Sequence, residues 1–200
     1  MVPLAPSRPD SAAGAGVDTA TRILDATLAT MADHGIARLS LEDVARRAGL
    51  SRQTVYRYFP SKRELVDATV LREEEVFIAN MVSAADRQRD LEPALRAAIE
   101  AAMRTGQAHV LLNRLLATEP ESLVTLVTTD RGPVLSAARQ GLERILGRRL
   151  PRVPKARLTV AADAVARLLV SYVVNPPADS PPQVANRLAQ LLVHGLPTAS

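Results

Sequence analysis

Residues 50–65 read LSRQTVYRYFPSKREL. The chain has three Tyr, two Phe and no Trp, yet Tyr56, Tyr58 and Phe59 fall within four consecutive positions of this stretch. Arg52, Arg57, Lys62 and Arg63 stand among them, and no acid occurs from Val44 to Arg63. With Arg46 and Arg47 the window holds six positive charges in eighteen residues. Aromatic rings interleaved with guanidinium groups suit a surface that meets a polyanion. The net charge of +4 points weakly the same way, and the placement of the charge says more than its sum.

The flanks of the window read as short capped helices. Ser40 is an N-cap, with Asp43 at the third position as a weak capping box. Leu41, Val44, Ala45 and Ala48 make the buried side of this helix, and Gly49 ends it. Ser51 caps a further short helix over residues 52–58, which Pro60 stops. Ser61 and Glu64 form the S-x-x-E start of a longer helix reaching about residue 84. Upstream, residues 19–34 place Ile23, Thr27 and Met31 on one face beside Leu24 and Leu28, with Asp18 or Thr19 as cap and Gly35 as stop.

The pair around Gly49 has the spacing of a helix-turn-helix. Ala45 is small where two helices cross, Gly49 supplies a left-handed turn, and Val55 packs back onto the first helix. In that geometry the second helix enters the major groove with its N-terminal residues toward base edges. Arg52, Gln53 and Thr54 open it. Tyr56 and Tyr58 lay rings on the helix surface and send hydroxyls to phosphates, and Phe59 closes the core. Lys62 and the free N–H groups at the next helix start hold another phosphate. The competing reading is a merely solvated basic surface. Ala-x-x-x-Gly alone argues little against it; the three successive caps and the acid-free window argue more.

ARLSLEDVARRAGLSRQTVYRYFPSKREL resembles the N-terminal domain of the TetR family of bacterial transcription regulators, over about residues 19–67. The resemblance implies an all-α fold of nine to ten helices: a three-helix DNA-binding domain, then a larger helical ligand-binding and dimerisation bundle. It implies DNA contacts at Ser40, Arg52, Gln53, Thr54, Tyr56, Arg57, Tyr58 and Lys62. Many members carry Gly or Ala where Gln53 stands, so the operator is not borrowed from a relative. RLLATEPE and TTDRGPVLSAAR resemble a group of actinobacterial members, from which no ligand is taken.

The expected division is a disordered arm at 1–17, the DNA-binding domain at 18–66 and the larger domain at 67–200. In the latter, Leu95, Ala98, Ile99, Ala102 and Met103 make a stripe opposite Arg96, Glu100 and Arg104. Further helices are expected over about 107–118, 121–128, 133–149, 155–174 and 183–196, with LPRVP and NPPADSPP as loops. By family analogy the helices over 133–149 and 155–174 pair with their copies in a homodimer. The stripes Leu135, Ala138, Leu142, Ile145 and Leu158, Ala162, Val165, Leu169, Tyr172 fit this, or they bury within one chain. A cavity among Leu95, Ile99, Met103, Leu111, Leu112, Leu115 and Leu116 would take a hydrophobic or acyl-like effector. His109 or Asn113 would orient its polar group, unless each merely lies at the surface.

The composition narrows the rest. No Cys excludes disulfides and thiolate metal sites, and His34, His109 and His194 have no paired spacing, so neither metal nor cofactor is expected. The start, MVPLAPSRPDSAAGAGV, lacks the apolar run of a signal peptide. LTVAADAVARLLVSYVV is broken by Asp163 and Arg167 and does not span a membrane, which leaves the cytoplasm as the expected location. No phosphate loop, H-E-x-x-H or nucleophile constellation indicates an enzyme. Two functions stand: a ligand-responsive repressor on a palindromic operator, or a constitutive or architectural DNA-binding protein whose larger domain only dimerises.

Overall fold

The computed structural model describes residues 11–118 and 133–195. The expected helix near 121–128 and most of the TTDRGP turn lie outside them. Among the described residues all regular structure is helical: α1 Ser11–His34, α2 Leu41–Ala48, α3 Arg52–Tyr58, α4 Lys62–Asp86, α5 Leu91–Ala108, α6 Val110–Thr118, α7 Pro133–Arg149, α8 Lys155–Val174 and α9 Pro181–Gly195. The chain divides into two compact units between Thr69 and Val70, inside α4.

The first unit packs α1 on α2 and α2 on α3. Its core is Ile23, Ala26, Met31, Leu39, Leu41, Val44, Ala45, Val55 and Leu65. Thr27 and Thr30 are buried with them, each hydroxyl donating to a carbonyl one turn back (Ile23 and Ala26) at 2.7 Å, so no buried hydroxyl lacks an acceptor there. α1 begins at Ser11, well before the expected start near Thr19.

In the second unit α5 packs against α9 and α8, and α7 lies along α8. Two glycines allow close approach. A Cβ on Gly106 of α5 would stand 2.8 Å from Val173 Cγ1 of α8, and one on Gly141 of α7 would stand 2.9 Å from Met81 Sδ of α4. The core is aliphatic, with Leu95, Ile99, Met103, Leu142, Leu146 and Ala162 at no exposure. The expected helix over 107–118 starts later, because His109 takes an extended ψ of 112° between α5 and α6. α9 starts at Pro181, earlier than expected. Ser180 precedes it, and the Gln183 side chain accepts from the Ser180 N–H at 2.9 Å and its hydroxyl at 2.8 Å. The last two prolines of NPPADSPP, Pro181 and Pro182, thus open a helix, where their missing N–H groups cost nothing.

Candidate nucleic-acid interface

Local capping shapes the reading surface. Ser40 is extended at φ −121°, ψ 146°, and its Oγ accepts the Asp43 N–H at 3.1 Å. The same hydroxyl donates to Asp43 Oδ2 at 2.6 Å. That bond, ahead of the charge of Arg46, holds the Asp43 carboxyl below its usual range. At the other end of α2, Gly49 turns left-handed at φ 65°, ψ 35°. Its N–H reaches Arg46 O at 3.2 Å and the Leu50 N–H reaches Ala45 O at 2.9 Å, the two bonds of a Schellman motif. Arg22 Nη2 of α1 donates to Ala48 O at 2.8 Å, setting a cation at the carbonyl end of α2.

Two residues on, Ser51 caps α3: its Oγ accepts the Thr54 N–H at 3.1 Å and lies 2.8 Å from Thr54 Oγ1. Val55 has no exposure and pins α3 to the unit. With Val55 inward, Arg52, Gln53, Tyr56 and Arg57 are exposed, while Thr54 and Tyr58 are half-buried. Phe59 is also half-buried, so the expected closing core residue is only partly covered. The Arg52 guanidinium lies over the Tyr56 ring, 5.3 Å from its centroid, and Arg57 lies 5.6 Å from that of Tyr58. The aromatics therefore carry the arginines on the face turned to solvent.

Six of the eight expected DNA-contact residues sit together on α3. Ser40 and Lys62 flank it at the starts of α2 and α4. Each is engaged within the chain, Ser40 as described and Lys62 through Nζ donating to Ala37 O at 2.8 Å. An ammonium has three donors, so Lys62 keeps capacity for a second acceptor. The window that lacks acids in sequence does not lack them in space. Arg46 pairs with Asp43, Arg47 with Asp33, Arg63 with Asp67 at 3.6 Å, and Arg52 Nη1 stands 3.9 Å from Glu42 Oε2. Glu42 and Arg22 are the functional neighbours that sequence reading missed. Helical spacing of Arg63 and Asp67 was available as a signal, whereas the Arg47–Asp33 contact joins two helices.

The expected effector residues divide by exposure. Ile99 and Met103 have none, Leu112 has 8 %, and Leu116 is half-buried. Asn113 points outward, its Nδ2 donating to Gln107 O at 2.9 Å. His109 is half-buried; its Nδ1 accepts the Leu112 N–H at 3.3 Å, and Nε2 lies 3.4 Å from Glu73 Oε2. Of the expected dimer residues, Leu135, Ala138, Leu142, Ile145, Val165 and Leu169 are buried by their own chain, and Tyr172 is half-buried. The apolar stripe is the face α7 and α8 turn to the core. The large apolar residues of α8 that are exposed are Val160 at 70 % and Leu168 at 37 %. Among the described residues no helix is long and apolar enough to cross a membrane.

Residues 23–69 match the family described as bacterial regulatory proteins, tetR family. Residues 90–194 match the bacterial tetracyclin repressor, C-terminal domain. An HTH-type transcriptional regulator of Mycobacterium tuberculosis H37Rv is 35 % identical over 123 residues, 54 % of this chain and 61 % of that protein. This chain thus spans about 61 % of the length of that relative. The HTH-type transcriptional regulator AlkX of Mycobacterium tuberculosis is 27 % identical over 172 residues, 85 % of this chain and 81 % of that one. The solved structure of the TetR family repressor AlkX from Dietzia, implicated in biodegradation of n-alkanes, has a TM-score of 0.66 at 29 % identity, covering 87 % of this chain and 95 % of that one.

Proposed function

We infer from the membership of this chain in the TetR family of helix-turn-helix transcription regulators, which are not enzymes, a ligand-responsive repressor. In this reading it works in the cytoplasm, binds a palindromic operator as a homodimer, and is released by a hydrophobic small molecule. The observation that carries the reading is the exposed set Arg52, Gln53, Tyr56 and Arg57 on a short helix fixed by Val55, by the Ser51 cap and by the Gly49 turn. Arg52 and Gln53 have the donor geometry for base edges, while Tyr56, Arg57 and Lys62 suit phosphates.

The larger unit supports the effector class. Its residues at 95–116 that face inward are aliphatic or thioether, so an effector held there is hydrocarbon or acyl in character. The tie of AlkX from Dietzia to n-alkanes agrees with that class. Dimerisation falls to the outer side of α8, where Val160 and Leu168 are exposed, rather than to the buried stripe. One observation favours the constitutive alternative. Ile99 and Met103 have no exposure, as expected of a domain that only packs.

The test is selection of bound duplexes from random DNA by the purified chain, with light scattering of the complex. Enrichment of an inverted repeat bound by two chains is the expected result. Half-sites should lie about one helical turn apart, ~34–36 Å, or a multiple of it. No enrichment over unselected DNA would refute the reading. Thermal-shift screening of alkanes, fatty acids and acyl thioesters then separates the two alternatives, since only the responsive form is stabilised.

A further inference from the structure

Arg52 is an exposed arginine at the start of the recognition helix, yet its guanidinium is not loose. Nη2 donates to Tyr56 Oη at 3.3 Å, the group lies over the Tyr56 ring, and Nη1 stands 3.9 Å from Glu42 Oε2. Glu42 occupies the first turn of α2, where the helix N-terminus favours its charge. Its side chain is 74 % exposed, and the carboxylate of its neighbour Asp43 is already engaged by Ser40 and Arg46. Glu42 therefore places a negative charge on the face that would meet DNA. A residue whose only effect was to bind a polyanion would not be an acid.

We propose that Glu42 is a specificity-determining residue acting through Arg52; the inference rests on the DNA-binding reading above. Duplex DNA carries one phosphate charge per ~1.7 Å of axis, and a free guanidinium is drawn to phosphates of any sequence. Glu42 and Tyr56 together hold Arg52 along α3 and offset that pull. A guanidinium has five N–H donors, so the one bond donated to Tyr56 leaves others for a guanine edge, which takes two of them side by side. Phosphate contacts made in the wrong register must bring Glu42 toward the backbone without that compensation. Glu42 is thus a positioning residue that penalises non-operator DNA more than operator.

The experiment uses the full chain and two duplexes: the one it selects from random DNA, and a scramble of the same composition. Glu42→Gln keeps the side-chain size at an exposed site, and a thermal melt verifies that it folds. Its affinity for the scramble is expected to rise about tenfold and for the selected duplex less than about threefold. The log–log salt slope on the scramble should steepen by about 1 per protomer. In an Arg52→Ala background the same substitution should change both duplexes by one common factor, because the residue it acts through is gone. An equal change on both duplexes in the otherwise native chain would overturn the proposal, as would a loss of discrimination that persists without Arg52. If the native chain selects no duplex at all, the DNA-binding reading fails and this inference with it.

Discussion

Gly49→Ala and Gly147→Ala make the same chemical change with opposite expected signs. At Gly49 space is not the obstacle, since an added Cβ meets only Arg22 Nη2, at an ordinary 3.7 Å. The backbone is: φ is +65°, and a side chain there costs roughly 1–2 kcal/mol in the left-handed region. Relaxing that strain would break the Leu50–Ala45 bond of 2.9 Å that sets the angle between α2 and α3. Gly147 lies within α7 with nothing within 4 Å of an added Cβ. There Ala removes a helix penalty and should stabilise by roughly 0.5–1 kcal/mol. Amide hydrogen exchange reads both locally. A loss of ~1–2 kcal/mol is a 5–30-fold drop in protection, expected on α2 and α3 in Gly49→Ala and absent from α7 to α9. Gly147→Ala should raise protection in α7 alone. Unchanged protection of the Leu50 amide in Gly49→Ala would refute the account of the turn.

Removing the Ser40 hydroxyl in Ser40→Ala should raise the Asp43 pKa toward its ordinary value, read by NMR titration. Because the folded pKa of Asp43 lies below the unfolded one, its contribution is present above the unfolded pKa and lost as pH falls through the folded one. Ser40→Ala should therefore flatten the acid-side stability curve as well as remove a cap worth about 1 kcal/mol. Leu168→Glu should give a folded monomer in light scattering, whereas Leu142→Ala, at a site with no exposure, should cost ~2–5 kcal/mol and show in a thermal melt. If three or four phosphates are neutralised per protomer, the dimer should show a log–log salt slope of roughly −5 to −7 in filter binding, and a flat dependence would refute the basic surface.

What was legible in the sequence was local. Ser40, Ser51 and Ser61 cap helices three residues before the N–H they accept, and Gly49 turns where a side chain would strain. These signals lie within a few residues of one another, so spacing alone exposes them. What spans helices was not legible. Arg47 meets Asp33 of α1, fourteen positions upstream, and Arg52 of α3 stands near Glu42 of α2, so the apparently uncompensated basic window has acid partners across helices that spacing alone does not show. The dimer stripe shows the same limit of pattern reading. Apolar residues at helical spacing mark a face as buried without saying by what, and Leu135, Leu142 and Leu169 are covered by their own chain. His109 was placed inside a helix because nothing in its type forbids helix; its ring instead caps α6 and touches Glu73.

The scarcity of rings has a photophysical consequence. With no Trp in the chain, near-ultraviolet emission excited in the phenol absorption band comes from tyrosine, and energy has no indole to drain into. Two of the three tyrosines, Tyr56 and Tyr58, stand on α3 under Arg52 and Arg57, and the third, Tyr172, lies in α8. Phenol fluorescence of the native chain is therefore weighted toward its recognition helix. A titration with unlabelled duplex would report on that helix without a dye, and a Tyr172→Phe variant would remove the one signal that arises elsewhere.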